Sequence, residues 1–326
     1  MERDNLSYYE PASHAHSVGI IGVPTDLGSD SPGLSQAPRS ILDTGLEKVI
    51  TSLGSEVVGI EMLSVPAGAA SDGGHTKNLE EIARVARTTA DLAEGAARRG
   101  ETIIGLGGDH SMAIGTISGA ARAHRSLGVV WIDAHPDCNT PETTMTGNIH
   151  GQVTSALMGF GHPMLTAIGR NIASDDFLYI GLKDIDQAEI EFLRGTKARC
   201  ITMLDIASRG LSRAMLAIDA LQRRVDSVWV SMDMDSIDSA DAPGVGLQNH
   251  GGLSRREVLS LAHYIGKTCR VAGFDIVEVS PDKDEKAKTA RLALELTARF
   301  LGGEYSWYQN EYMDSYSKEN IVRTRR

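Results

Sequence analysis

The sequence is poor in cysteine and in aromatic residues, with three cysteines and 5% aromatic side chains in 326 residues. The cysteines are widely spaced and odd in number, which argues against a disulfide framework and favours a reducing, cytoplasmic environment. The chain begins with polar residues, so we expect no signal peptide. Its apolar stretches are all shorter than a membrane span. A net charge of −11 argues against a nucleic-acid-binding surface.

What the chain does have is the composition of a globular protein with a substantial core, 41% hydrophobic and 23% charged. Short strand-like runs alternate with amphipathic helical patterns, and we find no internal repeat or linker. The predicted strands are residues 18–23, 56–60, 102–106, 129–133, 177–181, 200–204, 228–232 and 271–276. Eight strands with helices between them predict a three-layer α/β/α fold, in which helices cover both faces of a parallel sheet.

Two aspartate-rich runs follow apolar segments that have the pattern of buried strands. Asp133-Ala134-His135-Pro136-Asp137 comes directly after one such segment, and Asp233-Met234-Asp235 comes after another. Side chains at i, i+2 and i+4 of an extended chain share one face. We therefore expect Asp133, His135 and Asp137 to converge, and Asp233 and Asp235 to do the same.

A third predicted strand, at 102–106, ends in a run that carries His110. Ligands of parallel α/β sheets bind at the carboxyl edge of the strands, where all three runs lie. Four carboxylates gathered there with two imidazoles would repel one another strongly without cations. The ligand set suits two divalent ions, manganese first, with cobalt, nickel or iron also accepted. A single aspartate after a strand often caps a helix instead, but both aspartate runs together favour a di-metal hydrolase.

The three runs resemble the metal-binding signatures of the ureohydrolase family, which includes arginase, agmatinase and formiminoglutamase. The resemblance covers about 17–302, and so defines a domain at 17–302 between an N-terminal extension, 1–16, and a C-terminal tail, 303–326. It implies an arginase-like fold, two manganese ions per chain, and Asp133 and Asp233 as ligands that bridge them. The full implied ligand set is His110, Asp133, His135, Asp137, Asp233 and Asp235.

Two further segments resemble arginase rather than the other members of the family. In the loop at 139–151, the resemblance implies that Asn139, Thr144 and Thr146 bind the α-carboxylate of an amino acid. In a later segment, it implies that Asp186 binds the α-amino group with the assistance of Glu189. Threonine-rich loops are common and an aspartate often caps a helix, so each segment alone has a simpler explanation. Together they favour an amino-acid substrate.

The resemblance also implies a mechanism in which a hydroxide that bridges the two ions attacks the guanidinium carbon. The predicted catalytic residues are Asp137, His150 and Glu278. His150 would donate a proton to the leaving amine, although a lone histidine in a loop is more often a surface residue. Glu278, just past the last predicted strand, would pair with the substrate guanidinium. The alternative for Glu278 is an ordinary helix cap before Pro281.

The family resemblance therefore predicts an enzyme that hydrolyses L-arginine to L-ornithine and urea. The loop at 237–250 departs from the family pattern beside the guanidino pocket. The alternative substrates are accordingly guanidinobutyrate, agmatine and formiminoglutamate. A non-catalytic arginase-like subunit is a third possibility, but the six filled ligand positions argue against it. We expect a small guanidino molecule as partner, neither nucleic acid nor membrane, and a homotrimer or homohexamer.

Aromatic residues crowd into the C-terminal tail although the rest of the chain has few of them. They are Tyr305, Trp307, Tyr308, Tyr312 and Tyr316. Protein interfaces are enriched in aromatic rings, so we predict that the tail forms a subunit contact. The alternative is that these rings pack on their own domain.

Overall fold

An eight-stranded, all-parallel sheet lies at the centre of the molecule, as predicted. The computed structural model describes residues 9–10, 15–66 and 74–305. Its strands are β1 (Tyr9–Glu10), β2 (Ser17–Val23), β3 (Glu56–Met62), β4 (Thr102–Gly107), β5 (Leu127–Ile132), β6 (Phe177–Leu182), β7 (Arg199–Thr202), β8 (Ser227–Asp233), β9 (Val271–Val277) and β10 (Glu304–Tyr305). The order across the central sheet is β3-β2-β4-β9-β8-β5-β6-β7.

Helices cover both faces of this sheet, which makes the predicted three-layer fold. They are α1 (Ala37–Asp43), α2 (Leu46–Ser52), α3 (Leu79–Arg98), α4 (Ala113–Ala123), α5 (Val153–Met158), α6 (Pro163–Thr166), α7 (Gln187–Arg194), α8 (Met203–Arg209), α9 (Ser212–Gln222), α10 (Arg255–Thr268) and α11 (Lys288–Phe300). One layer consists of α3 to α7, and the other consists of α1, α2 and α8 to α11. No helix in the described ranges combines the length and apolarity needed to cross a bilayer.

The core is divided by the sheet into two apolar clusters. Neighbouring residues of a strand alternate between them, so that Ile103 packs on one face and Ile104 on the other. Every residue of β4, β5 and β6 is buried. Burial on both faces explains why these strands are nearly continuous apolar runs in the sequence.

The predicted strand at 200–204 was wrong at its carboxyl end. β7 ends at Thr202 and α8 begins at Met203. Thr202 Oγ1 accepts a hydrogen bond from the Asp205 amide (3.2 Å), and the Asp205 carboxylate accepts one from the Thr202 amide (3.1 Å). This reciprocal capping satisfies amides that the first turn of a helix leaves without partners, and so it ends the strand early.

The connection between β5 and β6 contains helical structure of its own. It contains a 3₁₀ helix, Ile149–Gln152, followed by α5 and α6. His150 therefore lies in the first turn of a helical segment rather than in a flexible loop. Its amide donates to the Gly28 carbonyl (3.1 Å), which ties this turn to the segment after β2.

The two ends of the described chain pair with each other. Tyr9 lies opposite Tyr305 and Glu10 opposite Glu304 in the antiparallel pair of β1 and β10. The predicted extension and tail thus meet in a short sheet of their own. The remaining aromatic residues of the predicted subunit contact, Trp307, Tyr308, Tyr312 and Tyr316, lie outside the described residues.

Candidate metal centre

The predicted metal ligands lie at the carboxyl ends of adjacent strands in the middle of the sheet. β4, β9, β8 and β5 are neighbours there. His110 follows β4, Asp233 ends β8, Asp133 follows β5, and Glu278 follows β9. Because the strands are parallel, these side chains meet at a single edge of the sheet.

His110 is fully buried, and its Nδ1 faces three carboxylates. The distances are 3.2 Å to Asp133 Oδ2, 3.3 Å to Asp137 Oδ2 and 3.1 Å to Asp233 Oδ2. One nitrogen carries at most one proton, so it cannot satisfy all three oxygens. Ligand atoms of His110, Asp133 and Asp233 lie within 4.8 Å of one another, close enough to hold a metal ion.

His135 forms a second group that shares Asp133 with the first. Its Nδ1 lies 3.4 Å from Asp133 Oδ1 and 3.3 Å from Asp235 Oδ2. The ligand atoms of this trio also lie within 4.8 Å of one another. Asp184 lies on the other side of the ring, with its Oδ2 3.6 Å from His135 Nε2. Two overlapping groups with one common carboxylate fit a pair of ions bridged by Asp133.

The predicted ligands converge through turns and not, as expected, by alternation along an extended chain. Asp137 has a φ of +49°, which is left-handed backbone, and Asp235 lies in the 3₁₀ helix Met234–Ser236. In each run the first carboxylate accepts from the amide two residues on, His135 to Asp133 Oδ1 and Asp235 to Asp233 Oδ1, both at 2.8 Å. The capping alternative and the metal-site prediction thus describe the same residues.

The electrostatics of the cluster favour bound cations. Burial, followed by repulsion from Asp235 and Asp133, raises the pKa of Asp233 well above its usual range. Burial and Asp133 likewise raise the pKa of Asp235 to about 6. Among the described residues, the buried atom Asp235 Oδ1 has no hydrogen-bond partner. Buried oxygen and nitrogen ligand atoms of this kind suit manganese and its neighbours in the first transition series.

A hydrogen-bonded chain behind His110 was missed at the sequence level. His110 Nε2 lies 2.9 Å from Ser231 Oγ, whose hydroxyl lies 3.5 Å from Asp275 Oδ2. That oxygen also accepts from Trp229 Nε1 (2.8 Å) and Thr116 Oγ1 (3.0 Å). The available signal was an aspartate inside the otherwise apolar strand β9.

The His110 ring is held from two directions. Trp131 stacks against it with ring centroids 4.0 Å apart and planes 6° from parallel. Asp275 itself has room only because Gly105 faces it, since a Cβ at Gly105 would lie 2.1 Å from Asp275 Oδ1. Burial raises the pKa of Asp275 to about 7, with its hydrogen bonds opposing the rise. These contacts fix which His110 nitrogen faces the carboxylates.

Buried Glu278 and half-buried His150 form a pair next to the predicted metal ligands. Glu278 Oε1 accepts from the His110 amide (2.9 Å) and lies 3.2 Å from His150 Nδ1. Burial acts to lower the pKa of His150, but Glu278 more than offsets it and raises the pKa to about 9. His150 therefore carries a proton at neutral pH. Glu278 has a φ of +63° and does not act as a helix cap.

Asp186 and Glu189 are both used by the fold. Asp186 caps α7 by accepting from the Glu189 amide (2.9 Å), and its second oxygen accepts from Asn139 Nδ2 (2.8 Å). Glu189 accepts from the amides of Asp186 (3.2 Å) and Cys138 (3.3 Å). Burial, then Asp137, raises the pKa of Glu189 to about 8. Glu189 positions its neighbours, while Asp186 joins the two segments that were predicted to bind an amino acid.

Thr144 and Thr146 point their hydroxyl oxygens at the backbone of their own loop. Thr144 Oγ1 accepts from the Gly147 amide (3.1 Å), and Thr146 Oγ1 accepts from the Asn148 amide (3.2 Å). Because the oxygens accept, the hydroxyl protons stay available to donate to an anion.

Comparison with known proteins agrees with a di-metal hydrolase of this architecture. A sequence profile of the Arginase family matches residues 16–302. An arginase of Bacillus caldovelox is 35% identical over 294 residues, which is 87% of this chain and 98% of that protein. Its solved structure has a TM-score of 0.85 and covers 89% of this chain and 99% of that chain. The mitochondrial arginase-2 of Homo sapiens is 36% identical over 301 residues, which is 88% and 85% of the two chains.

The solved arginase of Entamoeba histolytica in complex with L-ornithine is 28% identical, with a TM-score of 0.82 over 89% of this chain and 99% of that one. The matches to curated arginases span nearly all of the central domain. The chain belongs to the arginase family and is a hydrolase of carbon–nitrogen bonds.

Proposed function

We propose that this enzyme hydrolyses the guanidino group of L-arginine to give L-ornithine and urea, and that it uses two divalent ions, manganese first. The observation that carries the choice of substrate is the 2.8 Å contact between Asn139 and Asp186. It places a hydrogen-bond donor beside a carboxylate, and a free amino acid presents the matching pair of an α-carboxylate and an α-ammonium group. The arginase relatives support the same choice.

The ions would be held by the two groups that share Asp133. His110, Asp137 and Asp233 would complete one site, and His135 and Asp235 the other. Four aspartates balance the charge of two divalent ions, so the buried centre would be neutral. When bound, two such ions supply Lewis-acid chemistry that makes water a nucleophile near neutral pH.

Glu278 would orient the reacting end of the substrate. Its Oε1 is held by the His110 amide and by His150, which fixes the carboxylate in place beside the metal ligands. A planar guanidinium presents parallel N–H groups that match a carboxylate. Glu278 is 3% exposed, so such an ion pair would form largely out of water, where charge attraction is strong.

His150 would supply the proton that the leaving amine needs. It is protonated at neutral pH because Glu278 raises its pKa to about 9. When Glu278 pairs with the substrate guanidinium, its attraction for the His150 proton would weaken. Binding would then prepare His150 to donate it when the carbon–nitrogen bond breaks.

The test is a comparison of substrates after reconstitution with manganese. Agmatine lacks the α-carboxylate and so forfeits about two or three hydrogen bonds, each worth roughly 1.5–3 kcal/mol. Water replaces part of that loss at the pocket mouth, which leaves about 3 kcal/mol, or at least ~100-fold in kcat/KM. Comparable kcat/KM values for arginine and agmatine would refute L-arginine as the substrate and leave the metal chemistry standing.

A substitution at Asp186 tests the other end of the amino acid. Asp186→Asn keeps the helix cap, because an asparagine side chain also accepts from a backbone amide. It removes the negative charge proposed to face the α-ammonium group. The variant should lower kcat/KM for arginine far more than for guanidinobutyrate, which lacks the α-ammonium group and is affected only through the Asn139 contact. Equal losses on both substrates would contradict the assignment.

A related guanidino acid is the second candidate substrate, favoured by the loop at 237–250. Gly246 lies directly behind Glu278, since a Cβ there would be 2.7 Å from Glu278 Oε2, and the neighbouring Leu247 is 48% exposed. Because this loop lies against Glu278, its departure from the family pattern concerns the end of the site that would hold the guanidino group. Faster turnover of guanidinobutyrate than of arginine in the same comparison would select this candidate.

Two further expectations from the sequence belong with this proposal. Three free thiols, at Cys138, Cys200 and Cys269, suit a reducing compartment, so we place the enzyme in the cytoplasm. The aromatic tail supports a contact between subunits, and the family resemblance implies a homotrimer or homohexamer.

A further inference from the structure

Lys77, Asp30 and Asn148, from three chain segments, form a triangle of hydrogen-bonded side chains. The triangle lies beside the loop at 139–151, here called the substrate loop because it is proposed to bind the α-carboxylate. Lys77 precedes α3, Asp30 follows β2, and Asn148 lies between Thr146 and His150. Lys77 Nζ lies 2.9 Å from both carboxylate oxygens of Asp30 and donates to Asn148 Oδ1 (3.0 Å). Asn148 Nδ2 donates to Asp30 Oδ2 (3.0 Å). Each of the three side chains contacts the other two.

Backbone hydrogen bonds join the same three segments. The Lys77 amide donates to the Gly147 carbonyl (2.9 Å), and Gln152 Nε2 donates to the His75 carbonyl (3.0 Å). Gly147 has a φ of +76°, and a Cβ there would lie 2.1 Å from the Gly74 carbonyl oxygen. The segment at 74–77 thus packs directly against the backbone of the substrate loop, at a point where only glycine fits.

The triangle differs from an ordinary surface ion pair in what it contacts. An isolated exposed pair is worth about 0–1 kcal/mol and holds nothing else in place. Here the Lys77 side chain is 19% exposed, and the third member, Asn148, is 7% exposed with both ends of its amide engaged. Asn148 carries the constraint into the loop, because its own amide donates to Thr146 Oγ1 (3.2 Å).

We propose that Lys77 and Asp30 are positioning residues, which act through Asn148 to hold the loop at 144–150 in the geometry that binds the α-carboxylate. The inference rests on the proposed function for the identity of the substrate, but not for the ordering of the loop. The triangle lies next to Thr146 on one side and His150 on the other. It therefore fixes the hydroxyl groups that would bind the substrate carboxylate at a set distance from His150.

The central test is Lys77→Met, which keeps most of the length of the side chain and removes its three donors. Misplacement of a binding group by a fraction of its hydrogen-bond length should raise KM for L-arginine by about tenfold or more, with kcat changed far less. The expected loss of kcat/KM for agmatine, which has no carboxylate but still needs His150, is several-fold smaller than the loss for arginine. Asp30→Asn should act in the same direction, and Lys77→Arg should recover most of the wild-type KM.

A matched control comes from an ion pair of similar geometry elsewhere on the surface. Arg125 and Asp226 lie 2.9 Å apart, and Arg125→Met should leave both KM values unchanged. Bound metal, measured by elemental analysis, should stay at the wild-type ratio in every variant. A KM for arginine in Lys77→Met and Asp30→Asn within twofold of wild type would overturn the proposal, as would an equal rise for agmatine.

Hydrogen–deuterium exchange tests the proposal without any turnover. Peptides that cover 139–151 should exchange at least several-fold faster in Lys77→Met than in the wild type, while peptides from β4 and β8 keep their rates. Unchanged exchange at 139–151 would overturn the positioning role. If the wild-type enzyme prefers another substrate, the proposed function fails, whereas the exchange result still decides the role of the triangle.

Discussion

Binding of two divalent ions to the metal-free protein should release at least two protons per chain. Although burial acts to lower it, hydrogen bonds to Asp133, Asp137 and Asp233 raise the pKa of His110 well above its ordinary value. The pKa of His135 is raised in the same way by Asp133 and Asp235, again against the effect of burial. Both imidazoles are therefore charged at neutral pH when no ion is bound.

The number of protons follows from the ligand atoms. Nδ1 is the nitrogen that faces the carboxylates in both histidines, and a metal ligand must be deprotonated. One proton from His110 and one from His135 make two. Asp235, with a pKa of about 6, adds a fraction of a proton at lower pH. The sign follows directly: a raised pKa keeps the competing proton bound to higher pH, so metal affinity falls as the pH falls.

The magnitude is large enough to measure easily. Release of two protons makes the combined affinity for both ions change by about 100-fold per pH unit. Calorimetric titration of manganese into chelator-treated protein, near pH 7 in two buffers with different ionisation enthalpies, gives the proton count. His135→Asn should release about one proton fewer and serves as the internal control. Release of less than one proton per chain, or an affinity that does not vary with pH, would refute the reasoning.

Other predictions concern single positions around the same centre. His150→Asn should lower kcat by about 100-fold or more, as expected for loss of a general acid, with the metal content unchanged; loss of an ion would instead identify His150 as a ligand. Asp275→Asn should weaken manganese binding by about 10–100-fold, the usual effect of removing a partner that orients a ligand, and an unchanged affinity by titration would exclude that role. Truncation after Tyr305 should reduce the oligomeric state if the aromatic tail joins subunits, and sedimentation that shows the same assembly would rule this out.

The sequence by itself predicted the architecture and which residues of the candidate metal centre lie together. Strands buried on both faces must be apolar throughout, so β4, β5 and β6 were visible as continuous runs. Charged residues directly after such strands lie at the carboxyl edge of the sheet, because the strand before them ends there. Parallel pairing then brings His110, Asp133 and Asp233 together.

Short-range chemistry was less visible in the sequence. The strand predicted at 200–204 extends past the end of β7, because Thr202 and Asp205 cap a helix and strand propensity does not reveal such a cap. Asp133 and Asp137 converge through a left-handed turn, although alternation along a strand predicts the same neighbours. A pattern of residue types thus predicted which side chains meet but not the backbone path that joins them.

Only the tertiary structure decided the contacts between segments that are far apart in the chain. Asp275 reaches His110 through Ser231, across 165 residues, because β4, β9 and β8 are neighbours in the sheet. Lys77 meets Asp30 and Asn148 because the segments before α3 and after β2 cross the substrate loop. Such hydrogen bonds depend on separations of about 3 Å, which follow from the packing of whole elements. An aspartate in an apolar strand is visible in the sequence, but the partners it reaches are not.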